Sequence, residues 1–415
     1  MESSLSAREF RGAGLLRWAM PNYVLGDPPE WARIRECRGG VCSFRGRSGT
    51  TPADWVLIEA LPIKSPGRVL VGLDHAGVAY MAASALWGSN VATWWHYDAY
   101  AAAAVRNEVE ANGVNTAGLV IGEDVPGFVP QGESLLVTGR GAAGDALSPE
   151  AEPFDLIALP FPATGEALLT REILEQAHDR LVMGGRLVAA TDKDPSWLKG
   201  AVESVFGKAD VSAVDRGSAV WATRKKERTA WKDHSHVLQV DLPPKPLGFL
   251  TRPGVFSYGR LDRGTKALLK VLEVGAKARI LDLGCGYGVM GAFALARSPG
   301  SSAVLVDCNA RAVGAARRSM VANSLTGATV LLRRDLENIP GGPFDLVVAN
   351  PPYFGDFRIA DAFVSFARDR IAPNGKMFLV AKAGEAHREI VARKFGEART
   401  EMLGTDTYFV ITARP

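Results

Sequence analysis

Two halves of the chain carry the same sequence patterns in the same order, and this repeat restricts the possible folds more than any other feature. The segment "RVLVGLDHAGVAY" (68–80) aligns with "RILDLGCGYGVMG" (279–291) at an offset of 211 residues. At that same offset, 94–112 aligns with 305–323 without a gap. Each match combines an apolar run, a loop and a helix-like run, so the first two matches together indicate a repeated structural unit.

Two further matches follow at a shorter offset. The segment "FDLIALPFP" (154–162) aligns with "FDLVVANPP" (344–352) at an offset of 190, and "DRLVMGGRLV" aligns with "DRIAPNGKMF" at the same offset. The change of offset predicts an insertion in the first copy, and the glycine-rich segment 137–153 is its natural location. Four matches in one order predict a duplicated domain.

The alternation of elements within each copy predicts the fold class. Short runs of Val, Ile and Leu alternate with helical patterns, which is typical of α/β domains with a mainly parallel sheet flanked by helices. We expect an N-terminal extension at 1–50, a first domain at 51–226, a connecting segment at 227–246 and a second domain at 247–415. The chain of 415 residues is long enough for two such cores.

Composition excludes several classes of protein. Four cysteines do not form a disulfide framework, and Cys37 and Cys42 have no second pair that would complete a zinc site, so we expect no metal. The first residues lack the apolar segment of a signal peptide, and no apolar run is long enough to span a membrane. These features predict a cytoplasmic protein, and its net charge of +3 permits a polyanionic partner without requiring one.

A glycine loop in the second copy predicts a ligand site. "DLGCGYG" places Asp282, Gly284, Gly286 and Gly288 between a strand and a helix, where glycines allow tight turns and close approach of the backbone to a ligand. The next strand ends in Asp307, which is placed to accept hydrogen bonds from ribose hydroxyls. The ligand is therefore expected to be a nucleoside-bearing cofactor, and the alternative is that Asp307 only caps the next helix.

The residue before the loop narrows the choice of cofactor. The acid of Asp282 suits the cationic amino-acid end of S-adenosylmethionine better than a pyrophosphate, which it would repel. A third strand-like run leads to Asp335, which could meet an adenine amine. Helix capping or a surface charge is the competing interpretation of Asp335.

A second motif carries the chemistry. In "NPPY", the side-chain oxygen of Asn350 and the backbone carbonyl of Pro351 can accept hydrogen bonds from a conjugated amino group. This orients the nitrogen lone pair toward a methyl donor, and Tyr353 can stack on a planar target. Without the glycine loop, a strand-ending turn with an Asn cap would explain the same residues. The two motifs together resemble the class I S-adenosylmethionine-dependent methyltransferases that act on exocyclic or amide nitrogens.

The segment before the glycine loop resembles a narrower family. "RPGVFSYGRLDRGTKALL" (252–269) is similar to the lead-in of the tandem-domain ribosomal RNA guanine-N(2) methyltransferases. The resemblance implies two Rossmann-like domains, a degenerate first one and a catalytic second one. It further implies S-adenosylmethionine as cofactor and the exocyclic amine of a guanine in small-subunit rRNA, free or within the ribosomal subunit, as target of a monomeric enzyme. Phe256 and 262–265 match the part of the lead-in that passes close to the cofactor. The departure lies in "NPPY", where Tyr353 stands at a position at which that family more often has phenylalanine. The expected cofactor-binding residues are Phe256, Asp282, Gly284, Gly286, Gly288, Asp307, Asp335 and Asn350.

The first copy lacks these residues. At the shared offsets, residues with side chains replace two of the three glycines, and one glycine is kept. Other residue types replace both acids and the asparagine. A cofactor would meet side chains where it needs bare backbone, so this domain is expected to bind none. The replacements are Val71 for Asp282, Leu73 for Gly284, His75 for Gly286, His96 for Asp307 and Pro160 for Asn350, with Gly77 kept opposite Gly288.

The sequence leaves three other functions open. "NPPY" is the usual spelling in glutamine-amide methyltransferases of release factors, but the first domain does not match their small helical bundle. A DNA adenine methyltransferase would need an inserted target-recognition segment, which we do not find. A non-catalytic RNA-binding or assembly protein would not be expected to retain the whole motif set in one copy only.

Overall fold

The computed structural model describes most of the chain, namely residues 33–37, 40–43, 51–62, 64–129, 152–162, 165–214, 216–228, 232–352, 357–404 and 407–415. In the expected extension, β1 (Arg33–Cys37) and β2 (Gly40–Ser43) pair antiparallel. Most of the expected insertion, and Tyr353, lie outside the described residues.

The first copy forms a seven-stranded sheet with helices between its strands. Its elements are α1 (Pro52–Ala60), β3 (Val69–Gly72), α2 (Val78–Trp87), β4 (Ala92–His96), α3 (Ala99–Ala111), β5 (Leu119–Ile121), β6 (Phe154–Pro160), α4 (Ala167–Arg180), β7 (Leu181–Thr191), α5 (Ser196–Phe206), β8 (Asp210–Val214) and β9 (Gly217–Thr223). The strand order is β5-β4-β3-β6-β7-β9-β8, and β9 alone runs opposite to the other six strands.

The second copy repeats this order. Two strands precede it, β10 (His236–Val240) and β11 (Leu247–Thr251), which pair antiparallel, so part of the expected connecting segment is a strand. The following elements are α6 (Arg263–Val271), β12 (Arg279–Leu283), α7 (Val289–Arg297), β13 (Ser302–Asp307), α8 (Ala310–Ala322), β14 (Ala328–Leu332), β15 (Phe344–Ala349), α9 (Arg358–Arg370), β16 (Ile371–Ala381), α10 (Gly384–Phe395), β17 (Thr400–Gly404) and β18 (Phe409–Ala413). The order β14-β13-β12-β15-β16-β18-β17 matches the first sheet strand for strand, which confirms the predicted duplication and fold class.

Both faces of each sheet are buried under helices. Along β12, Ile280 packs into one hydrophobic core and Leu281 into another on the opposite face. Such two-sided burial explains why these strands read as unbroken apolar runs instead of alternating patterns. In β4, Trp94 packs into one core and Trp95 into another, and both are fully buried.

The strand order also fixes where a site can form. The chain leaves β12 for β13 on one side, while β15 lies on the other side of β12. Such a reversal leaves a crevice at the carboxyl ends of the strands. It brings together the glycine loop after β12, Asp307 at the end of β13 and Asn350 just after β15.

The two domains meet through equivalent segments. Ala99 N donates to Cys308 O at 2.8 Å, and Ala310 N donates to Tyr97 O at 2.7 Å, so Asp98 and Asn309 form an antiparallel bridge. Because Asp98 and Asn309 are counterparts at the offset of 211 residues, the contact is symmetric between the copies.

A buried ionic network lies at the same interface. Arg252 and Arg311 of the second domain are fully buried, and each forms ion pairs with Asp124 and Glu172 of the first. Burial alone would raise the pKa of Asp124, but the two guanidinium groups outweigh it and hold that pKa far below its usual range. The network therefore joins the domains by charges of which Arg252, Arg311 and Glu172 are buried.

Within the part of the chain that the structure describes, no helix is long and apolar enough to cross a membrane.

Candidate active site

A cavity opens at the carboxyl ends of β12 and β15 in the second domain. Four of the residues expected from the sequence line it, namely Phe256, Gly284, Gly286 and Asn350. The other lining residues come from the start of α6, the segment before it, the glycine loop and the start of α7. They are Ser257, Asp262, Thr265, Cys285, Tyr287, Val289 and Met290.

Asn350 is held in one orientation. Its Nδ2 donates to Asp262 Oδ2 at 2.9 Å and to Thr265 Oγ1 at 3.1 Å. Both amide protons are therefore used by the protein, which leaves Oδ1 as the acceptor at the cavity. The buried strand β15 ends at Ala349, and Pro351 has no N–H to continue the ladder, so the chain turns at the residue that carries the amide.

Asp307 supports the glycine loop instead of capping the next helix. Its Oδ2 accepts from Gly286 N at 2.9 Å, and its Oδ1 accepts from Asn309 N at 2.9 Å. The N-cap of α8 is Asn309, whose side chain accepts from Arg311 N and Ala312 N. Burial raises the pKa of Asp307, and the backbone hydrogen bonds oppose that shift. The expected alternative, that Asp307 is only a helix cap, is therefore wrong.

Two glycines of the loop do different work. A Cβ added to Gly286, which has a φ of +56°, would meet nothing within 4 Å, so its bare backbone faces open space. A Cβ on Gly288 would lie 2.8 Å from Met320 Cε, which shows that Gly288 permits close packing of the loop against α8. Its counterpart Gly77 has the same constraint, because a Cβ there would lie 2.7 Å from Val105 Cγ1. Packing alone therefore explains why the first copy keeps this glycine.

Asp282 lies beneath the loop and does not line the cavity. It is fully buried, its Oδ2 accepts from Gly291 N at 2.8 Å, and its Oδ1 has no partner among the described residues. Burial raises the pKa of Asp282 to about 7, and the charge of Asp307 adds to the shift. A carboxylate so placed has one oxygen left for a further donor.

The raised pKa of Asp282 predicts a pH-dependent stability. The unfolded group titrates near pH 4, so between about pH 4 and pH 7 the folded protein holds a proton that the unfolded chain releases. The contribution of Asp282 to the free energy of unfolding is therefore present at low pH and lost as pH rises through the folded pKa. Asp282→Asn keeps the acceptor for Gly291 N without this titration. Denaturant unfolding should show the variant gaining stability relative to the wild type between about pH 5 and about pH 8. An equal difference at both values would contradict the assignment.

The remaining expected residues are placed as follows. Phe256 is exposed and forms one side of the cavity. Asp335 does not line the cavity: its Oδ1 accepts from Glu337 N at 3.0 Å and its Oδ2 from Arg334 Nε at 3.1 Å, as a turn-capping acid does. Tyr353 lies outside the described residues. Among the residues that the structure describes, no group of three or more His, Cys, Asp or Glu is placed to hold a metal ion.

Sequence reasoning missed two contacts that shape the site. The family resemblance places 262–265 close to the cofactor, but nothing in the sequence indicates that Asp262 and Thr265 contact Asn350, 85 to 88 residues away. Tyr287 O–H donates to Arg260 O at 2.8 Å, which ties the glycine loop to the segment before α6. Neither contact has a local sequence signal, because both join segments that only the sheet brings together.

In the first copy, side chains occupy the equivalent positions. The rings of His75 and His96 pack edge to face with centroids 4.6 Å apart, where the second copy has Gly286 and Asp307. Leu73 adopts a φ of +60° where the second copy has Gly284, a conformation that non-glycine residues rarely take. The backbone of the loop has thus been kept while its surface has been filled.

Comparison with known proteins agrees with the site. A family model described as the methyltransferase small domain matches residues 246–412, which contain the cavity. A ribosomal RNA small subunit methyltransferase C of Pseudomonas aeruginosa (strain UCBPP-PA14) is 31% identical over 293 residues, or 66% of this chain and 86% of that protein. One of Pseudomonas entomophila (strain L48) is 29% identical over 61% of this chain and 78% of its own length.

A solved structure shares the whole two-domain fold. A T. thermophilus 16S rRNA N2 G1207 methyltransferase in complex with AdoMet and guanosine aligns with a TM-score of 0.68, over 91% of this chain and 95% of that one. Its 23% sequence identity supports likeness of fold. The Pseudomonas aeruginosa relative supports more than likeness of fold, because it is 31% identical over 86% of its length. Together with the motif set and the duplicated fold, this identity and coverage show that the chain belongs to the ribosomal RNA small subunit methyltransferase C family.

Proposed function

We propose that the chain transfers a methyl group from S-adenosylmethionine to the exocyclic N2 of a guanine in small-subunit ribosomal RNA, with residues 247–415 as the catalytic domain. As a member of its family the chain is an S-adenosylmethionine-dependent rRNA methyltransferase. The observation that carries the proposed chemistry is the fixed amide of Asn350, whose oxygen is left as an acceptor at the cavity. The relatives act on small-subunit rRNA by name, and the fold match was solved with guanosine. We propose that it works as a monomer in the cytoplasm, where its substrate would be made.

The residues of the cavity fit this cofactor. Gly286 offers bare backbone with open space beyond it. Asp307 does not line the cavity, but it holds Gly286 N, and its remaining lone pairs would accept hydrogen bonds from hydroxyl groups. The buried Oδ1 of Asp282 still lacks a donor among the described residues. We propose that Phe256, Gly284, Gly286 and Asp307 hold the nucleoside and that Asp282 supports the loop from below.

The side chains at the end of β15 would perform the orienting step. When bound, S-adenosylmethionine supplies an electrophilic methyl group. The amine of guanine is a weak nucleophile because its lone pair is delocalised into the ring. Asn350 Oδ1 and the carbonyl of Pro351 would each accept a hydrogen bond from one N–H of the amine, which turns the lone pair out of conjugation and stabilises the positive charge that develops on nitrogen. Tyr353 is proposed to stack on the base.

The first domain, which we place at 51–226, is proposed to bind no cofactor. Its counterpart of the loop carries Leu73, His75 and His96, and the two imidazoles pack against each other. Titration calorimetry of the full chain with S-adenosylhomocysteine should therefore give a stoichiometry near one. A stoichiometry near two would contradict the assignment.

Asp307→Ala should weaken the binding of S-adenosylhomocysteine by about 1–3 kcal/mol, because an acceptor for hydroxyl groups is lost and Gly286 N loses its partner. Asp345→Ala is the matched control, since Asp345 forms an exposed ion pair with Arg279 at the opposite edge of the same sheet. Titration calorimetry with S-adenosylhomocysteine measures the affinity of both variants. Equal affinity of Asp307→Ala and the wild type would remove Asp307 from the cofactor site.

A transfer assay tests the substrate. The purified chain is incubated with methyl-labelled S-adenosylmethionine and either small-subunit rRNA, small ribosomal subunits or a release factor. We expect label in the RNA, recovered after digestion as N2-methylguanosine. Label in the release factor alone would instead support the glutamine-amide alternative, and label in another nucleoside would overturn the proposed target.

A further inference from the structure

The first turn of α6 holds the amide of Asn350 with two acceptors. Asp262 is the N-cap of this helix, and its Oδ2 accepts both from Thr265 N at 2.8 Å and from Asn350 Nδ2 at 2.9 Å. Thr265 Oγ1 accepts the second amide proton at 3.1 Å, and the Thr265 side chain is almost completely buried. The helix start and the asparagine thus share one carboxylate oxygen.

This arrangement permits only one of the two orientations of the amide. A rotation of the Asn350 amide by half a turn would place its oxygen against the oxygen of Asp262, where neither atom can donate. The hydrogen bond with Asp262 would be lost, and a half-buried acceptor would face another acceptor, whereas the Thr265 hydroxyl could still pair by donating. The acceptor end of Asn350 is therefore directed away from α6 by Asp262, and Thr265 holds the second amide N–H in place.

The first domain provides an internal comparison. At the offset of 211 residues, Thr51 and Asp54 stand opposite Asp262 and Thr265, with the acid and the hydroxyl exchanged. There Asp54 Oδ2 accepts from Thr51 N at 2.6 Å and from Thr51 Oγ1 at 2.9 Å, which forms a capping box at the start of α1. Pro160 replaces the asparagine and has no amide to donate.

The difference between the two domains separates what helix capping requires from what contact with Asn350 requires. In the first domain the acid and the hydroxyl bond to each other, and Asp54 Oδ1 is buried without a partner among the described residues. In the second domain both groups turn to Asn350. The helix at this place can therefore begin without the acid and the hydroxyl turning to a third residue. They turn to one in the copy that has the asparagine.

We propose that Asp262 and Thr265 are positioning residues for methyl transfer, which fix the orientation of the Asn350 amide so that its oxygen faces the target amine. The proposal rests on the proposed function of Asn350. It assigns to the start of α6 a role toward the substrate, through Asn350, and not toward the cofactor.

Thr265→Val tests this on the full chain, because it keeps the size of the side chain and the backbone N–H that Asp262 caps but removes the acceptor. We expect single-turnover methyl transfer to small-subunit rRNA to slow about tenfold, with the affinity for S-adenosylhomocysteine unchanged. Thr265→Ser keeps the hydroxyl and should transfer at nearly the wild-type rate. In the Asn350→Ala background, Thr265→Val should have no further effect, since it acts only through Asn350.

Three outcomes would overturn the proposal. They are a wild-type rate for Thr265→Val, an equal slowing in the Asn350→Ala background, and a fall in cofactor affinity that matches the fall in rate. If Thr265→Val does not fold, Asp262→Asn against Asp262→Ala replaces it. The asparagine retains an oxygen for both hydrogen bonds and should transfer much faster than the alanine variant, and equal rates for the two would refute the proposal.

A spectroscopic measurement separates this proposal from the proposed function. In the full chain labelled with ¹⁵N at asparagine, the side-chain NH2 signal of Asn350 is identified by its loss in Asn350→Ala. We expect this signal to shift and to exchange faster with solvent in Thr265→Val but not in Thr265→Ser. An unchanged signal in Thr265→Val would refute the positioning role, whether or not the wild-type chain methylates rRNA.

Discussion

Asn350→Ala is expected to slow methyl transfer by about a hundredfold or more, because a positioned acceptor for the amine proton is removed from the site. The affinity for S-adenosylhomocysteine should stay close to that of the wild type, since the proposed cofactor contacts come from the ends of β12 and β13. The measurement is single-turnover transfer to small-subunit rRNA, with calorimetry in parallel.

Asn374→Ala is the matched control for this variant. Asn374 is exposed in β16, near the beginning of the strand and hence at the edge of the sheet opposite the cavity. We expect a wild-type rate from it. Asn350→Asp should also be impaired, because it sets a second carboxylate against Asp262 in place of the amide donor. A wild-type rate of methyl transfer by Asn350→Ala would mean that "NPPY" is only a strand-ending turn.

Arg252→Ala is expected to lower the free energy of unfolding by about 3–5 kcal/mol, because it leaves the buried carboxylate of Glu172 and the half-buried one of Asp124 with one guanidinium partner fewer. Arg252 is fully buried and forms ion pairs with Glu123, Asp124 and Glu172 of the first domain. Arg311 compensates only in part, since it already pairs with Asp124 and Glu172. Denaturant unfolding followed by tryptophan fluorescence and by circular dichroism measures the change and shows whether the domains unfold together.

Arg279→Ala is the control for the interface. Arg279 pairs with Asp345 through two exposed side chains at the edge of one sheet, where solvent screens the charges. This variant should change the free energy of unfolding far less than Arg252→Ala. Similar small effects of the two substitutions would mean that the buried network does not hold the domains together.

The duplicated fold could be predicted because its signals are local and repeated. Each strand of the central sheet is a short apolar run, and each offset match fixes its counterpart in the other copy, so the topology of one domain implies that of the other. The positions of Asp307 and Asn350 followed from the rule that parallel strands present their carboxyl ends at one edge. The structure places both there and joins Asp307 to Gly286.

Contacts between distant segments could not be predicted in this way. The hydrogen bonds of Asn350 with Asp262 and Thr265 depend on how α6 packs beside β15, which no periodicity encodes. The buried state of Arg311 is another case, because an arginine in a helix is mostly exposed and only the docking of the first domain covers it. Asp335 is a third case, because the sequence left an adenine contact and a capping role open, and the structure shows its hydrogen bonds with Arg334 and Glu337 within a turn.

The most direct test of the account is mass spectrometry of nucleosides from small-subunit rRNA of cells without the gene, complemented with the wild-type chain or with Asn350→Ala. We predict that N2-methylguanosine at one position is lost on deletion, returns with the wild-type chain and does not return with the variant at equal protein levels. An unchanged nucleoside profile on deletion, or full restoration by Asn350→Ala, would contradict the account.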